Sequence, residues 1–341
     1  MRPTQRSGGV PGLSKVPGFA KSEALLAPAK VNLTLRILRR RADGFHELES
    51  LVAFASFGDR LAFWPGAPLG LKVSGPTAAA AGPLTDNLVL RAARALAARI
   101  EGLTLGRFAL VKRLPAGAGL GGGSSDAAAG LRLIAHANGL GLDDARIHDA
   151  ARATGADVPV CVDPRPRFMR GIGEILSVPV ALPKLGILIA HPGVAMPTGP
   201  VFKALGLAPG EEFVAPPPTP TPTLLQEGQG HRSTMHGACS PSPNLFPQAG
   251  GREGKMERAD LFAWLTCERN DLEPVAVAIA PQIGEVLGAI AQLAGCRLTR
   301  MSGSGSACFG LFDSARAAAA AAKRLAATHP AWWVRSGVLG N

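Results

Sequence analysis

The feature that most constrains this chain is a glycine-rich loop, Gly117–Gly123, in which five of seven residues are glycine. The alternation of apolar residues in Phe108–Leu114 before it predicts a strand, and the apolar spacing of Ala127–Ala137 behind it predicts a helix. Glycine lets backbone N–H groups approach an anion, and a helix start adds unpaired N–H groups and a partial positive charge. The order of strand, loop and helix therefore predicts a phosphate site, with a nucleotide as its natural ligand.

Three other kinds of glycine-rich loop could explain this segment: a dinucleotide-binding loop, a Walker loop and a purely structural turn. Gly117–Gly122 satisfies the G-x-G-x-x-G pattern of dinucleotide-binding folds, but the acid expected about 20 residues later would be Asp143, which lies in a turn. A Walker loop is excluded because Gly123 is followed by Ser124 and Ser125 with no lysine. A purely structural glycine turn stays open at this point.

The positive charge of the chain is concentrated near its start. The formal net charge is +11, and residues 1–41 hold nine Lys or Arg against one acid, Glu23. No aromatic residues interleave with a basic patch as they do in proteins that bind single-stranded nucleic acid, so we expect no nucleic-acid partner. A catalytically silent RNA-binding module with a basic tail is the alternative from another functional class.

Cysteine usage and apolar runs bear on the compartment of the protein. The five cysteines are scattered without metal-ligand spacing, which suits a reducing environment, and no apolar run is long enough to span a membrane. Residues 1–22 contain no apolar core of a secretory signal, and their four glycines and three prolines disfavour an amphipathic transit helix. We expect a cytoplasmic protein with no membrane partner and a disordered basic tail at 1–22.

Strand-like and helical segments do not alternate regularly, which favours an α+β fold over a doubly wound sheet. We divide the remainder into an N-terminal domain at 23–167 and a C-terminal domain at 168–341, with Ala315–Ala327 as the closing helix. Residues 216–255 contain eight prolines and few large apolar side chains, so they cannot offset the entropy of ordering. They predict a disordered surface insertion at about 209–257, with docking of a partner to its proline-rich start as a minor alternative.

One lysine and one acid stand out from their surroundings. Lys30 lies among apolar residues, where it either extends its head group to water or pairs with an acid. Asp157 lies in Gly155–Cys161, an apolar run that resembles a strand and follows a helix. A buried carboxylate needs a partner because an unpaired one is costly. A Lys–Asp pair beside a phosphate loop would be a catalytic arrangement. A second glycine turn, Ser302–Cys308, is either a tight hairpin or a ligand contact.

Seven segments appear in a characteristic order along about residues 24–203 and 262–328. They are Pro28–Leu33, Arg41–Leu48, Leu120–Ser125, Gly155–Pro159, His191–Val194, Asn270–Glu273 and Ser302–Ala307. In these motifs the chain resembles the GHMP kinases and, within them, the branch that acts on 4-diphosphocytidyl-2-C-methyl-D-erythritol. The resemblance implies a two-domain GHMP kinase fold, with an N-terminal ATP-binding α/β sandwich like a ribosomal-protein domain and a C-terminal ferredoxin-like domain.

The resemblance also implies an activity: transfer of a phosphoryl group from ATP, with Mg²⁺, to the 2-hydroxyl of that substrate in the non-mevalonate isoprenoid pathway. It implies Asp157 as general base, assisted by Lys30. Another GHMP kinase, such as a mevalonate-type enzyme, is the alternative. The partner is a small molecule, and we expect a monomer or weak homodimer.

Further site residues follow from the same resemblance. No metal-ligand set is assigned, although Asp126 either contacts Mg²⁺ or only complements the helix dipole. Phe45 stands where tyrosine is commoner, which keeps a ring for stacking on the base but removes a hydroxyl. The ATP-binding residues are Pro115, Gly117, Gly119, Leu120, Gly121, Gly122, Gly123, Ser124, Ser125 and Asn87. The substrate-binding residues are Asn32, Phe45, His46, His191, Pro197 and Thr198, with His46 reading the cytosine edge.

Overall fold

The structure is a computed structural model that describes residues 23–214 and 256–340. The predicted tail at 1–22 and most of the predicted insertion at about 209–257 lie outside the described residues. Eleven strands of the described part form one sheet, which helices cover, so the α+β class is confirmed. No helix in the described part is both long and apolar enough to cross a bilayer.

In the N-terminal half, four α-helices pack near a sheet organised by one long strand. The elements are β1 (Glu23–Asn32), β2 (Arg36–Arg40), β3 (His46–Pro65), β4 (Gly70–Ser74), β5 (Gly106–Val111), β6 (Arg167–Gly171), β7 (Ile175–Leu176), α1 (Leu88–Ala97), α2 (Gly122–Ala137), α3 (Ala145–Thr154) and α4 (Val158–Val162), with short 3₁₀ helices at Ala78–Ala81 and Leu84–Asp86. The long β3 pairs with β1, β2, β5 and β6.

Local sequence explains where the helices of this half begin. Asn87 precedes α1 and its Oδ1 accepts the N–H of Val89 at 3.0 Å, and Asp144 caps α3 in the same way. The face of α2 that meets the sheet is rich in alanine, so the helix approaches β1 and β3 closely. Phe63 and Phe108 stack in this core with ring centroids 4.7 Å apart. The packing fixes α2, and with it the glycine loop.

In the C-terminal half, the central strand is buried along its whole length. The elements are β8 (Leu185–His191), β9 (Cys296–Met301), β10 (Cys308–Phe312), β11 (Trp333–Leu339), α5 (Thr198–Lys203), α6 (Arg258–Cys267), α7 (Glu273–Ile279), α8 (Gln282–Ala291) and α9 (Ala315–Thr328). All seven residues of β8 are buried, as expected for an apolar strand flanked by β10 and β11.

The two halves are joined by β11, a strand that the sequence did not predict. The sheet order is β4-β5-β3-β11-β8-β10-β9, so β11 follows the expected closing helix α9 and lies between the halves. It pairs with β8 along its length and with β3 through Leu339 and Ala55. The expected boundary at 167/168 falls inside β6, which pairs with β3 in the N-terminal half. The junction therefore places the glycine loop opposite the C-terminal half.

Candidate active site

A cavity of about 660 Å³ opens between the two halves and is lined by elements of both. The glycine loop, α5 and the second glycine turn all contribute to its lining. Its polar and charged lining consists of Lys30, Asn32, Asp86, Asn87, Lys112, Ser124, Asp126, Asp157, Thr198 and Ser304. A large concave site with a few convergent polar groups is the usual form of a small-molecule site.

The glycine loop alternates between left-handed glycines and buried apolar residues. Gly117, Gly119 and Gly121 have φ angles of +64°, +77° and +59°, a region that residues with a side chain rarely adopt. Between them, Ala118 and Leu120 are buried in the core that joins the two halves. The apolar side chains therefore anchor the loop, while its glycine backbone lines the cavity, as a phosphate site requires.

The two glycine turns touch each other through their backbones. A Cβ built on Gly119 would lie 2.2 Å from the carbonyl oxygen of Ser302, and one built on Gly305 would lie 2.1 Å from the nitrogen of Gly119. Across this contact the N–H of Ala307 donates to the carbonyl of Ala118 at 3.0 Å, and the Ser302 hydroxyl donates to the carbonyl of Gly119 at 3.0 Å. Glycine is required here because the chains approach so closely.

Lys30 and Asp157, which are 127 positions apart in sequence, meet at the cavity. Lys30 Nζ lies 3.0 Å from Asp157 Oδ2, and the backbone N–H of Lys30 donates to the carbonyl of Leu120 at 2.9 Å. The Lys30 side chain is 4% exposed and that of Asp157 is 42% exposed. The predicted strand at Gly155–Cys161 was wrong, because Val158–Val162 forms the short helix α4 with Asp157 at its N-cap. The carboxylate therefore faces the cavity and is not enclosed in a strand.

Most of the expected ATP-binding residues line the cavity. Pro115, Gly117 and Gly119–Ser124 do so, and Asn87 lies on the wall at the start of α1. Ser125 differs, because its buried hydroxyl donates to the carbonyl of Pro28 at 2.6 Å and so ties α2 to β1. The Ser125 hydroxyl therefore bonds to the backbone of β1 and helps to position α2, and Ser125 does not line the cavity.

The residues expected to read the base, Phe45 and His46, lie outside the immediate lining of the cavity. His46 packs against Phe202, with ring centroids 5.0 Å apart, and Phe202 lines the cavity. Burial, and then the charge of Arg40, lowers the pKa of His46, and its buried Nε2 has no hydrogen-bond partner among the described residues. Phe45 is 58% exposed. Phe202 was missed because a lone aromatic residue in a short helix carries no local signal.

Two of the other residues expected to bind substrate, Asn32 and Thr198, are held by internal hydrogen bonds. Asn32 lines the cavity and its Nδ2 donates to the Ser50 hydroxyl at 2.8 Å. Thr198 lines the cavity and accepts a hydrogen bond from the Ser304 hydroxyl at 3.0 Å, which links α5 to the second glycine turn. Pro197 is the N-cap residue of α5. The contact of Thr198 with Ser304 fixes the part of the cavity lining that α5 and the second glycine turn form.

His191 is buried beside the second glycine turn. Its Nδ1 accepts the N–H of Gly193 at 3.1 Å, so its Nε2 carries the proton and donates to the Ser306 hydroxyl at 2.9 Å. Burial lowers the pKa of His191 to about 4, although the hydrogen bond with the Val194 backbone opposes this shift. The ring is therefore neutral near pH 7 and joins the His191 turn to the second glycine turn.

Three buried charges behind the glycine loop were not predicted together. Asp59, Lys112 and Asp126 are 0%, 6% and 3% exposed, and Lys112 Nζ lies 2.8 Å from Asp126 Oδ2 and also contacts Asp59. Burial raises the pKa of Asp126 to about 7 against the opposing charge of Lys112. Asp126 lies beyond the first turn of α2. The expected alternative, in which this acid only complements the helix dipole, is therefore wrong.

Among residues 23–214 and 256–340, no three His, Cys, Asp or Glu side chains are grouped so as to hold a metal ion. Asp126 nevertheless lines the cavity, and its Oδ1 accepts no hydrogen bond from the described residues. Mg²⁺ is commonly held by one or two carboxylates together with substrate phosphates. The residues at the cavity therefore fit a magnesium ion that arrives with a nucleotide.

Two family models match the chain on either side of the cavity. The one described as GHMP kinases N terminal domain matches residues 87–163, and the one described as GHMP kinases C terminal matches residues 251–331. A homoserine kinase from Cytophaga hutchinsonii, 19% identical, shares the fold with a TM-score of 0.62 over 96% of each chain. Fold and site thus define the class of GHMP kinases, and the expected two-domain organisation is confirmed.

Relatives narrow this class further. Proteins described as 4-diphosphocytidyl-2-C-methyl-D-erythritol kinase from Xanthobacter autotrophicus and Methylobacterium radiotolerans are 54% and 53% identical, over 92% and 90% of this chain and 97% and 96% of theirs. A crystal structure of 4-(cytidine 5'-diphospho)-2C-methyl-D-erythritol kinase is 33% identical, with a TM-score of 0.67 over 94% of this chain and 100% of that one. The chain belongs to the 4-diphosphocytidyl-2-C-methyl-D-erythritol kinase family and is an enzyme, a small-molecule kinase.

Proposed function

We propose that this enzyme transfers the γ-phosphoryl group of ATP to the 2-hydroxyl of 4-diphosphocytidyl-2-C-methyl-D-erythritol, a step of the non-mevalonate route to isoprenoid precursors. The observation that carries the proposal is the Lys30–Asp157 pair, whose Nζ and Oδ2 atoms lie 3.0 Å apart at the cavity lined by the glycine loop. The names of relatives that are 48% to 54% identical support the substrate.

In this mechanism Asp157 accepts the proton of the 2-hydroxyl while the hydroxyl oxygen bonds to the γ-phosphorus. The bond between that phosphorus and the bridging oxygen breaks, and ADP leaves. The Lys30 ammonium pairs with the Asp157 carboxylate and can donate a hydrogen bond to the transferred group. Positioning and electrostatic stabilisation carry most of the catalysis in such transfers.

The glycine loop would hold the ATP phosphates with its backbone N–H groups, and Asn87 would lie near the nucleotide. The N-terminal half would thus supply most of the ATP site. Asp126 and Ser124 would hold Mg²⁺, which neutralises charge on the phosphates during transfer.

The substrate would occupy the other end of the cavity. His46, whose ring packs against Phe202, would read the cytosine edge. Its Nε2 has no hydrogen-bond partner among the described residues and would be available to bond the base. Phe45 offers a ring for stacking on the base, and its 58% exposure leaves it room to turn inward. Asn32 and Thr198 would contact the part of the substrate nearer the transferred phosphoryl group.

A substrate panel tests the reaction. The purified enzyme is given ATP and Mg²⁺ with 4-diphosphocytidyl-2-C-methyl-D-erythritol, mevalonate or homoserine, and ADP release is followed with a coupled assay. We expect turnover with the cytidine substrate alone, and ³¹P NMR should show a new phosphomonoester on the 2-oxygen. Turnover with mevalonate in its place would favour the mevalonate-type alternative, and RNA binding without ATP turnover would favour the nucleic-acid module.

The role of Asp157 is tested by Asp157→Asn. The amide cannot accept the proton, so kcat should fall by about 10²–10⁴-fold, the usual worth of a general base, while both substrates still bind. The matched control is Asp149→Asn, which removes a half-exposed acid from the neighbouring helix α3 and should leave kcat unchanged. A near-normal kcat in Asp157→Asn would reject this residue as the base.

A further inference from the structure

The charged cluster Asp59–Lys112–Asp126 lies directly behind the glycine loop. A Cβ built on Gly122, the first residue of α2, would lie 3.4 Å from Lys112 Nζ and 3.6 Å from Asp59 Oδ2. Each of the three charged side chains comes from a different part of the fold: Asp59 from β3, Lys112 from the residue after β5, and Asp126 from α2. The cluster therefore joins the sheet to both ends of the loop.

Asp59 makes the contacts that define where the loop begins. Its Oδ1 accepts the N–H of Leu114 at 2.9 Å and also the N–H of Arg113, two residues that lie shortly before the loop. Its Oδ2 accepts a hydrogen bond from Lys112, which in turn donates to Asp126 Oδ2 at 2.8 Å. One carboxylate thus connects the entry of the loop with the helix that follows it.

The loop offers few other ways to fix this geometry. Its glycines have no side chains, so its position depends on Ala118 and Leu120 in the core and on the chain at its two ends. At the entry, the carbonyl of Arg113 also accepts the indole N–H of Trp333 at 3.0 Å. Both polar backbone groups of Arg113 are therefore held, one from β3 and one from β11.

A contribution to stability does not account for the cluster. Buried ion pairs often contribute little to stability compared with apolar packing, because removing charges from water is costly. Two carboxylates against one ammonium leave an excess of negative charge when both acids are ionised, next to a loop that would receive phosphates. Such a cluster is better explained by the geometry that it imposes on the backbone.

We propose that Asp59 is a positioning residue for ATP, which sets the entry of the glycine loop and the start of α2 through Arg113, Leu114 and Lys112. The inference rests on the proposed function in that the loop holds the ATP phosphates, and its control ligand relies on the proposed base pocket near His46. It concerns nucleotide binding, so it can be tested without turnover of the cytidine substrate.

The test compares binding of two probes, ADP and CDP, to the full chain and to Asp59→Asn by calorimetry. The amide keeps the size of the side chain but loses its charge. One of its two oxygens is replaced by an N–H₂ group, which cannot accept a hydrogen bond from Lys112 or from the N–H groups of Arg113 and Leu114. Because hydrogen bonds to a charged group at the loop entry are weakened, the N–H groups of the loop should be less well placed, and we expect ADP affinity to fall by about tenfold to hundredfold. CDP, which reports on the base pocket near His46, should bind as it does to the wild type.

Glu268→Gln is the matched control. Glu268 is 7% exposed and pairs with Arg36 at 2.7 Å, and it does not line the cavity, so the variant loses a comparable buried pair away from the loop. It should lower the melting temperature as Asp59→Asn does but leave ADP affinity unchanged. Wild-type ADP affinity in folded Asp59→Asn, equal losses for ADP and CDP, or the same ADP loss in Glu268→Gln would overturn the proposal.

Hydrogen exchange of the wild-type protein covers the case in which Asp59→Asn does not fold. The N–H groups of Arg113 and Leu114 lie beyond the end of β5, so their protection depends on Asp59. Slow exchange at both amides without nucleotide supports a loop entry that Asp59 fixes in advance. Rapid exchange that slows only with ADP would contradict it.

Discussion

The close contact of the two glycine turns makes Gly305 a sensitive position. A Cβ added there would lie 2.1 Å from the nitrogen of Gly119 and 2.2 Å from the carbonyl carbon of Ala118. Both are backbone atoms and cannot rotate away, so the turns must separate by more than about 1 Å to approach the roughly 3.5 Å of a normal carbon contact. Gly305→Ala therefore moves the phosphate loop against the rest of the site.

The separation of the two turns sets the expected loss of activity in Gly305→Ala. A misplacement of about 1 Å can cost about 10²-fold in rate, so kcat/KM for ATP should fall about 100-fold, or about 2.7 kcal/mol. Loss of the hydrogen bonds from Ala307 to Ala118 and from Ser302 to Gly119 should lower the free energy of unfolding by about 2 kcal/mol. Steady-state kinetics and urea denaturation measure the two effects.

Gly288→Ala is the control for this substitution. A Cβ at Gly288, on α8, would meet nothing within 4 Å, so this variant should keep its activity and gain about 0.5–1 kcal/mol of stability, because alanine forms helix better than glycine. Wild-type kcat/KM and unchanged stability in Gly305→Ala would refute the argument that the two turns hold each other in place.

Two further predictions concern the histidines. His46→Ala should raise KM for the cytidine substrate far more than KM for ATP, because the ring packs at the substrate end, and equal effects in steady-state kinetics would reject it as a base reader. The pKa of His191, about 4 in the folded protein against 6.5 for an ordinary histidine, means that the unfolded chain takes up the proton first as the pH falls. Stability should therefore be full above pH 6.5 and decrease by about 3 kcal/mol between pH 7 and 4. His191→Asn, which keeps an acceptor for Gly193 and does not titrate, should reduce that dependence in urea denaturation, and an identical pH dependence would contradict the assignment.

The parts of the site that sequence reasoning found are those with local patterns. The glycine loop, its strand and its helix follow from glycine content and apolar spacing within about 30 residues. The Lys30–Asp157 pair was expected from the cost of burying an unpaired carboxylate, and the two side chains do meet, although the Asp157 side chain is 42% exposed. The element that carries Asp157 was misread, because the valines of Val158–Val162 favour a strand, whereas Pro159 is also compatible with the first turn of a helix.

Other parts depend on contacts between distant segments. Asp59 and Lys112 are 53 positions apart, and neither stands out in its own segment, so their contact behind the loop has no local signal. β11 was missed because Trp333–Leu339 mixes Arg, Ser and Gly with apolar residues, and its pairing with β8 and β3 decides its structure. Tertiary packing overrides local propensity at both places.

The position of β11 has a consequence for the order in which the protein becomes active. As a chain leaves the ribosome, N-terminal segments fold first, so the glycine loop is made long before the strand that joins the two halves. The N–H of Val338 reaches the Ser56 hydroxyl across 282 positions, and such long-range pairing is slow to form. A nascent chain that has not yet produced Trp333 thus holds every residue proposed for catalysis, yet its cleft is incomplete. We therefore expect catalytic competence to depend on the pairing of this strand, and a defect in it to reduce the yield of active enzyme without touching a site residue.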